Sequence, residues 1–182
     1  SEPGSLRSVT TTPATTSAAV VPTTSTAPAG HTVVDARGVD VAIASVDRII
    51  PLDGDVAEIV FALGMGDRVV ATDLSATYPP EADALPQIGY QRALTAEPIL
   101  EFEPTLVIAT DIAGPPETLD ALERVGVPLV IVPTDVAPTG PATKIVAVAA
   151  ALGVPERGHD LAQQVQREID DAIASRDDAI RP

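Results

Sequence analysis

A chain of 182 residues, of which 45% are hydrophobic, has enough apolar side chains to build the core of one domain. Its formal charge of −15 argues against partners that are themselves polyanions, namely nucleic acids and anionic membrane surfaces. Because the chain has no cysteine, disulfides and thiolate metal sites are excluded.

The first 30 residues consist mostly of Thr, Ser, Ala and Pro, with few large apolar side chains. Such a segment cannot bury enough surface to offset the entropy lost on ordering, so we predict a disordered tether over residues 1–30. A flexible spacer is its simplest role. The alternative is the tether of a surface lipoprotein, in which a lipidated cysteine outside this chain would provide a membrane anchor.

The next segment, residues 31–45, has two short β-branched runs separated by the sequence DARG, which predicts a β-hairpin. An apolar strand is predicted at Arg48–Leu52. Apolar residues then recur at helical spacing from Asp55 to Leu63, and Gly64 ends this predicted helix. Extended structure is predicted again at Val69–Thr72.

The second half of the sequence alternates in the same way. Thr95 is suited to cap a helix that runs to about Phe102. Two apolar runs are typical of buried parallel strands, and three further helices are predicted. The strands are Leu106–Ala109 and Pro128–Val132, and the helices are Pro116–Val125, Thr143–Leu152 and one that begins at Pro155.

This alternation of strands and helices with short connections predicts an α/β lobe over residues 31–154. We expect a Rossmann-like arrangement, in which a central, mostly parallel sheet is flanked by helices. Ligands of such folds bind at the carboxyl ends of the strands. The loop that holds Tyr90 and the loops at 111–115 and 134–138 are therefore expected at the binding edge.

The stretch Gln87–Leu100 places Tyr90 directly after a glycine and two residues before Arg92. Its sequence GYQRALTAEPIL resembles the N-terminal-lobe motif of haem-binding proteins that serve ABC importers. The similarity extends from about Arg48 to the C terminus, through GDVAEIVFALG, RVVATDLSATYPPEA, EPTLVIATDIAGPPETLDAL and VGVPLVIV. It implies a class III periplasmic binding protein fold, in which residues 155–182 begin a long inter-lobe helix and the second lobe is absent from this chain.

The resemblance implies that Tyr90 is an axial ligand of haem iron, a role for which tyrosine is known. On residue chemistry alone, a half-buried loop residue is the favoured interpretation of Tyr90, and the resemblance reverses this preference. Arg92 either favours the charged phenolate or pairs with a haem propionate, and the resemblance implies the first role. We expect Tyr78, which precedes a proline, to be a packing residue under the loop.

Glu58 lies three residues after Asp55, a spacing that fits reciprocal capping of a helix start. The resemblance to vitamin B12-binding and siderophore-binding proteins implies another role. In those proteins a glutamate on the corresponding helix forms a salt bridge with arginines of the membrane permease. We therefore expect Glu58 to dock on the permease and Asp55 to cap the helix.

Together these expectations describe an extracytoplasmic protein, periplasmic or a cell-surface lipoprotein, that carries ferric haemin to an ABC importer and catalyses no reaction. The nearest alternative is a ferric siderophore or cobalamin as ligand of the same fold. A nucleotide-binding α/β enzyme fragment is an alternative of a different class, although the sequence GMG follows a helix rather than a strand. A surface adhesion module is suggested only by residues 1–30.

Overall fold

The computed structural model describes residues 30–180, so the tether predicted for residues 1–30 lies outside the described residues apart from Gly30. Within residues 30–180, no helix combines the length and the hydropathy that a membrane span requires.

The described chain begins with an antiparallel hairpin of β1 (His31–Val34) and β2 (Asp40–Ile43), as the sequence predicts. Val41 and Ile43 of β2 are buried in the core, whereas the residues that alternate with them are exposed. This alternation is expected for a strand with one face on the core and one face in solvent.

The central sheet has three parallel strands in the order β3 (Ile49–Leu52), β4 (Leu106–Thr110) and β5 (Leu129–Val132). Every residue of these strands is buried. Burial on both faces explains why the strands are apolar without alternation. The predicted parallel sheet is confirmed.

The helices cover both faces of the sheet, as predicted. One apolar cluster joins the sheet to α1 and α5, and the other joins its opposite face to α3 and α4. The six α-helices within the described residues are α1 (Gly54–Ala62), α2 (Pro80–Asp83), α3 (Ala96–Leu100), α4 (Pro116–Arg124), α5 (Gly140–Ala151) and α6 (Pro155–Ile180).

Three local predictions differ from the structure. The segment Val69–Thr72 forms no strand, because its amides change partner after two residues: Val70 donates to Ile49, and Thr72 donates to Pro86. The short helix α2 was not predicted, and it lies within a predicted loop. Thr95 precedes α3 in the N-cap position, but its side chain makes no capping hydrogen bond.

Helix α6 packs on α5 through its first turns. Gly158 is buried there, and a Cβ atom at this position would lie 2.2 Å from the Cβ of Ala149. Further along α6, Ile169 is only half-buried and Ile173 is 37% exposed, so the predicted apolar stripe is largely open in this part of the helix. The assignment of residues 155–182 to an inter-lobe helix stays a prediction.

The hairpin turn is fastened to the rest of the fold by Asp35, whose side chain is fully buried. Its carboxylate accepts hydrogen bonds from the Arg37 guanidinium at 2.7 Å and from the backbone N–H groups of Arg37 and Val39 at 2.8 and 3.1 Å. Arg37 also donates to Glu123 of α4 at 2.8 Å. Burial alone would raise the pKa of Asp35, but these hydrogen bonds and the Arg37 charge outweigh it and lower that pKa.

We expect Gly158→Ala to lower the free energy of unfolding by about 1–3 kcal/mol, because the added methyl group overpacks the contact between α5 and α6. At an open helix position the same change stabilises by up to about 1 kcal/mol. Urea denaturation of the parent and the variant measures the difference, with the exposed neighbour His159→Ala as control. A Gly158→Ala variant at least as stable as the parent would contradict the close packing.

We expect Asp35→Asn to lower the free energy of unfolding by about 1–3 kcal/mol near neutral pH, because a buried charge-assisted network is broken. Since the folded-state pKa is lowered, the contribution of the carboxylate is complete above the ordinary aspartate pKa and is lost as the pH falls through the folded-state value. Urea denaturation at about pH 7 and about pH 3 should show a parent–variant difference that shrinks in acid. The exposed Asp40→Asn is the control, and a difference independent of pH would contradict the assignment.

Candidate functional site

The candidate site lies at the edge of the sheet where β3, β4 and β5 end. We call it the carboxyl edge and define it by the loops 73–79, 89–93, 111–115 and 133–139. Parallel strands bring their carboxyl ends to one edge, and open α/β sheets bind ligands there. The three loops that the sequence assigns to this edge are all part of it.

The turn that carries Tyr90 is held from both sides by backbone hydrogen bonds. On one side, the carbonyl of Gly89 accepts the N–H of Leu74 at 2.8 Å. On the other side, the carbonyl of Gln91 accepts the N–H of Gly114 at 2.8 Å. Two neighbouring loops of the carboxyl edge therefore fix the position of the tyrosine.

Side chains alternate between outside and inside along this turn. Tyr90 is 45% exposed, Gln91 is buried and Arg92 is exposed. Gly89 has φ +110°, a conformation that glycine adopts without the steric cost of a side chain. The phenol and the guanidinium thus emerge together from an edge whose backbone is fixed.

Arg92 makes no hydrogen bond or ion pair with another residue in the part of the chain that the structure describes. The side-chain Oε1 atom of Gln91 is buried without a partner. A free guanidinium beside a phenol can bind an anionic group of a ligand, and the phenolate oxygen can ligate ferric iron. Tyr90 and Arg92, for which the resemblance implies ligand-binding roles, are both exposed on this turn, and those roles stay predictions.

The prediction that Tyr78 packs under the loop is wrong. Its side chain is 61% exposed, more than that of Tyr90. The buried positions of this segment are occupied by Ala76 and Ala82, which are fully buried, while the Tyr78 side chain is directed to solvent. Tyr78 is thus a second aromatic side chain on the carboxyl edge.

Three exposed aliphatic side chains also lie on the carboxyl edge, and the sequence-based prediction of the site did not include them. Leu74, Ile112 and Val136 are 52%, 38% and 101% exposed. Each follows an aspartate in a loop after an extended segment. That repeated pairing is a signal that the sequence alone contains.

Asp53 ties the ends of β3 and β4 together beneath this edge. Its carboxylate accepts a hydrogen bond from the hydroxyl of Thr110 at 2.9 Å. Burial raises the pKa of Asp53, and the negative charge of Asp55 adds to the effect, while the Thr110 hydrogen bond and the charge of Lys144 oppose it. Asp53 thus links the end of β3 to the end of β4.

Glu58 is exposed on α1, as its predicted docking role requires, but the predicted capping role of Asp55 is wrong. Helix α1 begins at Gly54, one residue earlier than predicted, and Asp53 at its N-cap makes no side-chain capping bond. Asp55 therefore lies within the first turn, where its carboxylate forms a salt bridge with Lys144 of α5. Glu58 forms no ion pair with another described residue.

A groove of about 530 Å³ lies between α1, α5 and α6 beside Glu58. Its apolar walls include Ile59, Ile145 and Leu161. Within residues 30–180, no group of three or more histidine, aspartate or glutamate side chains is placed to hold a metal ion. A protein-only metal centre thus has no support in the described part of the chain.

Comparison with known proteins yields three informative similarities. The periplasmic heme-binding protein RhuT from Roseiflexus sp. RS-1 is 55% identical, with a TM-score of 0.68, over 69% of this chain and 48% of RhuT. The periplasmic heme-binding protein BhuT, solved in complex with two hemes, is 38% identical, with a TM-score of 0.67, over 70% of this chain and 50% of BhuT. The vitamin B12-binding protein of Vibrio parahaemolyticus serotype O3:K6 (strain RIMD 2210633) is 34% identical over 84 residues, which are 46% of this chain and 30% of that protein.

The chain therefore spans about half the length of these solved relatives and 30% of the curated one. The family model described as periplasmic binding protein matches residues 49–178, which include the whole parallel sheet and the Tyr90 turn. The resemblance inferred from the sequence is confirmed at this level. The chain belongs to the periplasmic binding protein family.

Proposed function

We propose that this chain is the haem-binding lobe of an extracytoplasmic substrate-binding protein that delivers ferric haemin to the permease of an ABC importer. The observation that carries the proposal is that Tyr90 and Arg92 are both exposed on one turn of the carboxyl edge. Two neighbouring loops fix this turn by hydrogen bonds. The similarity to RhuT and BhuT supports haem as the ligand. The activity is binding and delivery, without turnover of a substrate.

Tyr90 supplies the iron ligand in this proposal. A free tyrosine has a pKa of about 10, so its phenolate form near neutral pH depends on the ferric iron and on a nearby cation. Arg92 is the nearby cation, and it either supports the phenolate or binds a haem propionate. In a chain with a net charge of −15, an anionic ligand needs such a local positive charge.

The haem lies, in this proposal, between the carboxyl edge and a second lobe. The edge is open, since Tyr90, Arg92 and the aliphatic side chains beside them are exposed. Helix α6 has 26 residues and is about 39 Å long, which is long enough to lead from one lobe to another. RhuT and BhuT are about twice as long as the part that this chain matches.

Cobalamin is the second candidate ligand, because the curated relative from Vibrio parahaemolyticus is a vitamin B12-binding protein. A ferric siderophore is the third and has no specific observation in its favour. The higher identity to the heme-binding RhuT, together with a phenol and a free guanidinium on the edge, favours haem. A dinucleotide is disfavoured because Gly64 and Gly66 follow α1 rather than link a strand to a helix.

Docking on the permease is assigned to Glu58. The neighbouring acid Asp55 is engaged by Lys144, so Glu58 is the acidic side chain of α1 that is available to a partner. An apolar groove lies directly beside it. An exposed charge beside apolar surface suits an arginine-containing contact on a membrane partner.

We expect Tyr90→Phe, which removes only the phenol oxygen, to weaken haemin binding by about tenfold or more, equivalent to about 1.4 kcal/mol. The parent should give a saturable Soret band with a tyrosinate-to-iron charge-transfer feature, and the variant should lose that feature. Absorbance titrations of the full-length protein measure both quantities. Tyr78→Phe, on the same edge, is the matched control and should behave as the parent.

Two results would count against this assignment. If Tyr90→Phe binds haemin as tightly as the parent with an unchanged spectrum, the iron ligand lies elsewhere. If the parent does not bind haemin but binds cyanocobalamin or a ferric siderophore, the proposed ligand is wrong and the alternative takes its place.

We expect Glu58→Lys to reduce haemin uptake by about tenfold or more while haemin affinity stays unchanged, because reversing a docking charge replaces attraction by repulsion. Proteoliposomes that contain the cognate importer measure uptake, and an absorbance titration measures affinity. Glu101→Lys, an exposed acid just after α3, is the control and should leave uptake intact. Unchanged uptake with Glu58→Lys would refute the docking role.

A further inference from the structure

One sequence pattern occurs three times on the carboxyl edge. Threonine, aspartate, an aliphatic residue and then serine or alanine follow one another at Thr72–Ser75, Thr110–Ala113 and Thr134–Ala137. The aliphatic residues of the three copies are Leu74, Ile112 and Val136, all of them exposed. The repetition shows that an aliphatic side chain in solvent is a regular feature of this edge.

The local hydrogen bonds explain how each copy exposes its aliphatic residue. In the first and third copies, the aspartate carboxylate accepts the backbone N–H two residues later, at 3.0 and 2.9 Å, which is an Asx-turn. In the second copy, the carbonyl of Thr110 accepts the N–H of Ala113 at 3.1 Å. In each case the hydrogen bond closes a short turn that contains the aliphatic residue, and its side chain is exposed.

These side chains share the carboxyl edge with the two exposed tyrosines, Tyr78 and Tyr90. Within the described residues, nine large apolar side chains are exposed, and five of them lie on the carboxyl edge. They are Leu74, Tyr78, Tyr90, Ile112 and Val136. A single exposed aliphatic residue needs no explanation, whereas a concentration of them at one edge marks a binding surface.

Two of the copies are joined directly to the Tyr90 turn. The N–H of Leu74 donates to the carbonyl of Gly89, which precedes Tyr90. The N–H of Gly114, in the loop of Ile112, donates to the carbonyl of Gln91, which follows Tyr90. The loops that carry Leu74 and Ile112 are therefore hydrogen-bonded to the residues on either side of the proposed iron ligand. Val136 extends the row along the sheet at the end of β5.

We infer that Leu74, Ile112 and Val136 form the surface on which the porphyrin macrocycle rests and that they select porphyrins over polar iron chelates. The inference rests on the proposed function. A porphyrin has a flat apolar face and an anionic margin, which match an apolar row beside one unpaired guanidinium, that of Arg92. The polar surface of a ferric siderophore would gain nothing from burying these aliphatic groups and would lose its hydration.

The test uses metal-free protoporphyrin IX beside haemin, because the metal-free ring has no iron for Tyr90 to ligate. In the full-length protein, the double variant Leu74→Ser with Ile112→Ser should bind both ligands about tenfold or more weakly. Tyr90→Phe should weaken haemin binding but leave binding of protoporphyrin IX within about twofold. Val39→Ser with Val125→Ser replaces two exposed valines away from the carboxyl edge and should change neither affinity.

The outcomes separate this inference from the proposed function. If the parent binds haemin with a tyrosinate-to-iron band but the Leu74/Ile112 double variant binds both ligands within about twofold of the parent, the inference is overturned and the proposed function stands. A parent that binds haemin but not protoporphyrin IX also overturns it, because contact with the apolar row would then not hold the ring. A parent that binds neither overturns the proposed function itself. Thermal denaturation verifies that the double variant, altered only at exposed side chains, remains folded.

Discussion

Every side chain of β3, β4 and β5 is buried, because alternate residues of each strand enter two separate apolar clusters on opposite faces of the sheet. Strands buried on both faces need helices on both faces, and the crossover connections that supply those helices make the strands parallel. All three strands consequently end at one edge. The loops with the proposed binding side chains meet there as a consequence of how the core is filled.

The carboxyl edge combines a fixed backbone with exposed side chains. Hydrogen bonds from Leu74 and Gly114 fix the Tyr90 turn, and the bond between Thr110 and Asp53 fixes the strand ends beneath it. Hydrogen bonds that hold a loop before a ligand binds lower the ordering entropy that opposes binding. The same loops leave an aromatic ring, a guanidinium and several aliphatic groups in contact with solvent.

Arg92 differs from those positively charged residues of this acidic chain that form ion pairs within the fold. Arg37 is engaged by Asp35 and Glu123, and Lys144 is engaged by Asp55. These pairs join the hairpin to α4 and α1 to α5, so their charges stabilise the fold and are not available to a ligand. Arg92 has no such partner among the described residues and can attract an anionic group at the carboxyl edge.

The sequence by itself determined the α/β class, the parallel strands and the candidate pair Tyr90 and Arg92, since apolar runs, helical spacing and a local motif are properties of neighbouring residues. Contacts between distant residues were decided only by the tertiary structure. Asp55 pairs with Lys144, 89 residues away, instead of capping its own helix, and Tyr78 is exposed to solvent while Ala76 and Ala82 occupy the buried positions near it. The three exposed aliphatic side chains likewise share one edge only after folding, because three short motifs far apart in the chain end at the same edge of the sheet.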